Sequence, residues 1–286
     1  MGAGAEIWKA VAARANQQLG VVSLEQLRSE FGLSRHAVGW AVERGRLERM
    51  FEGVYRFHEA RHDWHQQAFA ATLLGGQGSA ISHQTAGALF RLAGLERPNA
   101  SRIHLSLPHR TRVRPPPSFV IHRPRHPFLI TRQHTIPTTS ITRTIVDLAS
   151  VLDEEALEIA LDDAHHKYRN LGDWLETTLN RLNPKYPGLG TLRALVRARR
   201  GRVTDSPLEV RVWRVLRKAG LDPTRVQFEV FADGEYVMRI DFAWPDHRVA
   251  LHVDSFLWHS RRAAFDADAR QRTRLAALGW ANVVVT

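Results

Sequence analysis

Between residues 20 and 57 the chain reads GVVSLEQLRSEFGLSRHAVGWAVERGRLERMFEGVYRF, and its glycines and serines leave it few ways to fold. Ser23 stands before Leu24, Leu27 and Phe31, an apolar set at helical spacing, and its hydroxyl can accept a first-turn N–H. Gly32 stops that helix. Ser34 caps a second one, which buries Val38 and Val42 and ends at Gly45. RLERMFEGVYRF then gives a strand, a turn at Glu52-Gly53 and a second strand. Two short helices joined by a tight glycine turn make a helix-turn-helix, and the hairpin supplies a wing. Ile7, Ala10, Val11, Ala13 and Leu19 add a helix ahead of them, over residues 5–19.

In that arrangement the second helix enters the DNA major groove, with Ser34, Arg35, His36 and Trp40 at its exposed start. Arg44, Arg46 and Arg49 are placed to meet phosphates. Winged helices also dock proteins, so the charge matters. The net charge is +11, and +9 of it falls within the first 135 of 286 residues. A basic half suits a polyanion such as double-stranded DNA. Cysteine is absent, which excludes disulfides and thiolate metal sites and fits a reducing compartment. No apolar run is long enough to span a membrane, and the N-terminus has no apolar core of a secretory signal, so a cytoplasmic protein is expected.

This N-terminal stretch resembles the winged-helix domain of abortive-infection type IV antitoxins, the AbiEi family. The resemblance rests on GVVSLEQL and GLSRHAVGWAVERGRLERMFEGVYRF. It implies a DNA-binding regulator of a phage-defence or toxin–antitoxin system, with a cognate toxin or a second copy as partner.

Residues 59–200 read as an α+β middle domain. HQQAFAATLLGG and SHQTAGALFRLAGL are helices, the latter capped by Ser82, and IHLSLP and SFVIHRP alternate as strands. IPTTSITRTIVDLASVL leads into a helix near Thr142, and its Thr139–Ala149 run, TSITRTIVDLA, resembles a segment of the same antitoxins. Its Arg143 and Asp147, four apart, can pair. His165-His166 with Asp162 and Asp163 reads as a solvated helix face. With 15 histidines in the chain an isolated one carries little weight, and no catalytic constellation is legible here.

Residues 201–286 form a third unit. Ser206-Pro207 opens a helix expected to bury Leu208, Val212, Val215 and Leu216. A hairpin turning at Asp233-Gly234, a third strand (RVALHVDSFLW), a helix (RAAFDADARQRTRLAALGW) and a last strand (NVVVT) follow. The segments SPLE, IDFAWP, HVDSFLWH and FDAD…LAALGW resemble the very-short-patch-repair branch of the restriction-endonuclease-like (PD-(D/E)XK) superfamily. The expected fold is thus α/β multidomain: a winged helix-turn-helix (1–58), the α+β middle (59–200) and a restriction-endonuclease-like α/β core (201–286).

That second resemblance implies a Mg²⁺-dependent DNA endonuclease, if active. The metal would be held by Asp241 and Asp254, with Glu209 reaching the same cleft. His252 shares a strand face with Asp254, His259 would act as base or bind phosphate, and Asp268 would orient it. Relatives read E-[VI]-D-G where this chain has His252-Val253-Asp254-Ser255, and Arg where it has Gln271 and Val284. An imidazole in place of a carboxylate suits softer ions than Mg²⁺. Two readings follow. One is a DNA-binding protein whose endonuclease-fold domain has a weakened or lost metal site, and the other an antitoxin-like, non-enzymatic repressor.

Overall fold

The computed structural model describes residues 3–95, 102–125, 127–198, 207–253 and 262–285. Helices and three separate sheets are divided between two compact units, Met1–Val151 and Leu152–Thr286. Among the described residues no helix is long and apolar enough to cross a membrane.

The first unit begins with α1 (Ala3–Asn16), β1 (Val21–Ser23), α2 (Leu24–Ser29), α3 (Arg35–Glu43), β2 (Leu47–Phe51) and β3 (Val54–Phe57). Ser23 makes a full capping box with Gln26, and Ser34 accepts the Ala37 N–H at 3.1 Å. The three strands form an antiparallel sheet ordered β1-β3-β2. Val11, Ala15, Val22, Leu27, Val38, Ala41 and Leu47 close a small core beneath it. Burying a leucine such as Leu27 completely contributes about 1.5–3 kcal/mol.

Next come α4 (Trp64–Gly75), β4 (Ala80–Ile81), α5 (His83–Leu89), β5 (Ile103–Ser106), β6 (Phe119–His122), β7 (Ile130–Gln133), β8 (Ile136–Thr139) and α6 (Ile141–Leu148). Their strands form a five-stranded sheet, β6-β5-β4-β8-β7, with β5/β6 and β4/β8 parallel. A division at residue 58 falls inside this unit. Val21 and Val54 of the first sheet share a core with Phe69 of α4 and with Ile81 and Leu105 of the second sheet, and Phe51 meets Phe119 edge-on at 4.9 Å. Gly20 seals the junction: at φ +83° a Cβ there would lie 2.3 Å from Ala60 Cβ, so no other residue fits. Ser82 sits at the start of α5, but its hydroxyl bonds His83 Nδ1 at 2.9 Å and makes no backbone cap. Arg143 and Asp147 pair as the spacing implies, Nε to Oδ1 at 2.8 Å.

The second unit holds α7 (Glu154–Lys167), α8 (Leu171–Arg181), α9 (Leu189–Ala198), α10 (Pro207–Lys218), β9 (Arg225–Ala232), β10 (Glu235–Trp244), β11 (Val249–Val253), α11 (Arg262–Ala277) and β12 (Ala281–Val285). A division at residue 200 falls inside it, because α7 and α10 are tied together. Fully buried Glu158 accepts from Arg214 at 2.9 Å and from Arg217 at 2.5 Å. The sheet runs β12-β11-β10-β9, antiparallel except for the β11/β12 pair. Ser206 lies outside the described residues. On α10 the expected apolar face is rotated: Val215 is 68% exposed, while Val210 and Trp213 are buried. Trp213 decides the rotation, since its ring packs near Phe242 and its N–H reaches Asp222 Oδ1 at 2.8 Å. Asp162 is likewise buried, so its helix face is not wholly solvated, although His166 and Lys167 are exposed.

Candidate functional site

Helix α3 presents Ser34, Arg35, His36 and Trp40 to solvent, with Trp40 47% exposed. Ser34 is consumed as a cap, so its hydroxyl serves the helix first. Arg44 lies over the Trp40 ring, Cζ 3.7 Å from the centroid, and the indole face holds the guanidinium extended at the surface. Arg46 lies 5.0 Å from the Trp8 ring, and Arg49 bonds the Phe51 carbonyl at 3.5 Å. Arg35, Arg44, Arg46 and Arg49 are all exposed, and none makes an ion pair with a carboxylate among the described residues. Arg14 and Arg56, by contrast, are neutralised by Glu30 and Glu48. A groove beside α3 is also lined by Arg28, which was not singled out from the sequence although it lies on α2 in the same basic run.

In the second unit Asp241 sits on β10 with both oxygens engaged. Oδ2 accepts the Val253 N–H at 2.8 Å, and Oδ1 faces Gln227 Nε2 at 3.4 Å. The same Gln227 nitrogen donates to Glu209 Oε2 at 2.7 Å, so one amide links the two expected carboxylates. Gln227 has φ +51° within a strand, a strained backbone of the kind concentrated at functional sites. His252 is buried, with Nε2 3.2 Å from Asn282 Oδ1. Asp241 and His252 line one cleft of about 340 Å³ with Glu229, Arg239 and Arg272. Asp254 and His259 lie outside the described residues; Asp268 is on α11, and its side chain lies outside them too. The structure thus links Glu209 through Gln227 to Asp241, and sets Asp241 and His252 along one cleft.

Burial raises the Asp241 carboxyl above its ordinary range, against the lowering pull of the Val253 N–H, His252, Gln227 and Arg239. A folded-state value above the unfolded 3.8 means stability that is complete below 3.8 and is lost as pH rises through the folded value. Asp241→Asn, which can still accept from Val253, is therefore expected to be more stable than wild type at neutral pH. The difference should vanish as the pH falls below 3.8, read by urea denaturation across pH. A difference that widens on acidification would contradict this.

A second polar cluster, missed in the sequence, joins His83, His104 and His122 in the first unit. Nothing local marks it, because each histidine stands alone in its own element.

Residues 9–58 match the family model described as "Transcriptional regulator, AbiEi antitoxin". Uncharacterized proteins from two strains of Mycobacterium tuberculosis are each 27% identical over 253 residues, covering 88% of this chain and 90% of theirs. The crystal structure of the RV2827C protein from Mycobacterium tuberculosis aligns with a TM-score of 0.41 at 18% identity, covering 80% of this chain and 89% of that one.

Proposed function

We propose that this protein is a DNA-binding, antitoxin-like transcriptional regulator whose first six elements form a winged helix. In this reading α3 is the recognition helix, β2 and β3 are the wing, and double-stranded DNA is the partner, which implies a cytoplasmic protein. The observation that carries it is the set Arg35, Arg44, Arg46 and Arg49, exposed around α3 and β2 and free of carboxylate partners among the described residues. Unpaired guanidiniums on a helix and its wing are what phosphates recruit, because each contact releases condensed counterions. The antitoxin-family match over residues 9–58 covers the same elements. A cognate toxin or a second copy would be the protein partner of such a regulator.

The order of α10, the β9/β10 hairpin, β11, α11 and parallel β12 supports a second part of the reading: a restriction-endonuclease-like core. Cutting there would need Mg²⁺ held by Asp241 and Asp254. Beside Asp241 stands the imidazole of His252, and the Asp241 oxygens already serve Val253 and Gln227. Losing a carboxylate weakens a hard-ion site. This favours a core that binds and does not cut.

The test is fluorescence anisotropy with duplex DNA from upstream of the gene, across salt concentrations. Affinity is expected to fall linearly on a log–log plot with salt. Arg44→Ala combined with Arg46→Ala should flatten the slope by about 2. Supercoiled plasmid should remain intact with Mg²⁺ or Mn²⁺. Salt-independent binding would sink the winged-helix reading, and nicking abolished by Asp241→Ala would overturn the non-enzymatic one.

A further inference from the structure

His83 opens α5, while His104 and His122 come from the neighbouring parallel strands β5 and β6. His104 and Ser106, two apart, share a face of β5, and the register pairs Ser106 with His122, so all three project to the same side. His104 Nδ1 lies 3.1 Å from His122 Nε2. The His83 ring stacks on His122 with centroids 3.4 Å apart. One ring nitrogen from each histidine lies within 4.8 Å of those of the other two.

We propose that these three histidines form a binding site for one divalent transition-metal ion of the zinc type, tying α5 to the β5/β6 edge of the sheet. Three imidazoles with an open fourth position are a recognised zinc donor set, and with no cysteine in the chain they are the soft ligands it can offer. Tetrahedral Zn–N bonds of about 2.0–2.1 Å place the nitrogens roughly 3.3 Å apart. The His104/His122 pair is close to that separation, and the His83 nitrogen lies within 4.8 Å of both.

The surroundings fit a metal better than a proton. Burial lowers His83 and His122 to about 3, with added repulsion among the rings and from Arg143, and burial lowers His104 as well. Metal ions take the neutral imidazole as ligand, and burial favours that form at all three positions. Behind His83, Ser82 Oγ lies 2.9 Å and Asp147 Oδ2 3.9 Å from Nδ1, the hydroxyl and carboxylate backing that orients metal-bound imidazoles. Ser106 Oγ is buried without a hydrogen-bond partner among the described residues, on the face His104 and His122 share. His83 holds φ +49°, a conformation a non-glycine residue rarely keeps without cause.

The experiment uses the full chain, stripped by chelator and dialysed against Zn²⁺, with metal counted by mass spectrometry. Co²⁺ serves as a visible probe of coordination. About one Zn²⁺ per chain should be retained, with four-coordinate Co²⁺ absorption, and His104→Gln or His122→Gln should bind at least ~10-fold more weakly. Zn²⁺, and not Mg²⁺, should raise the Tm of the wild type; this readout stands even where a variant fails to fold. Folded wild type that retains no Zn²⁺ would overturn the proposal. So would folded variants that bind as well as wild type, since surface histidines would then be the ligands.

Discussion

Arg143→Leu is expected to remove about 3–5 kcal/mol of stability from the first unit, because it strands a buried carboxylate. Asp147 is fully buried and Arg143 nearly so, joined at 2.8 Å within α6. The guanidinium also lies 5.7 Å from the Phe128 ring, which shields the pair from water. Taking two charges out of water is costly, and their attraction compensates only while both are present. The double variant Arg143→Leu/Asp147→Leu should therefore recover much of the loss. Chemical denaturation of the three proteins reads this directly. A single variant within 1 kcal/mol of wild type would mean that water or another group replaces the arginine. The same pair stands behind His83, so the variant should also disturb the histidine cluster.

Trp213→Ala should cost the second unit a similar ~3–5 kcal/mol, for a different reason. The indole is 1% exposed between α10 and the sheet, with the Phe242 ring centroid 6.2 Å away. Truncation loses its apolar transfer energy and leaves a cavity, because the helix cannot collapse onto the sheet. It also removes the N–H that serves Asp222 and the ring beneath Arg217. Trp213→Phe, which fills most of the space, should lose markedly less. Calorimetry that found Trp213→Ala no worse than Trp213→Phe would show that the hydrogen bond outweighs the packing. Phe242 follows Asp241 on β10, so loosening this contact should also loosen the cleft.

Much of the candidate DNA-facing surface was legible in advance. Ser23, Ser34, Gly32 and Gly45 act through contacts within a few residues, so helix starts and stops follow from the chain alone. Arg35, Trp40, Arg44 and Arg46 are exposed because the opposite face of α3 carries Val38 and Ala41. From α10 onward the second unit was legible in element order but not in side-chain detail, and α8 was not anticipated. On α10, apolar residues at 208, 210, 212, 213, 215 and 216 allow more than one buried face, and periodicity cannot choose among them. Strands β4 and β7 were not anticipated either: Ala80–Ile81 is two residues long and is extended only because β5 and β8 pair with it.

The sequence by itself determined the caps at Ser23 and Ser34, the turns, the Arg143–Asp147 pair and the arginines that surround α3. All of these depend on neighbours within one element, where 3.6-residue and two-residue periods set the geometry. Only the tertiary structure decided how far the first core extends past residue 58, which face of α10 is buried, and that Gln227 links Glu209 to Asp241. It alone assembled His83, His104 and His122, since α5, β5 and β6 meet only through the order of the five-stranded sheet. Non-local pairing is chosen by the fit of whole surfaces, and no short window of sequence carries that information.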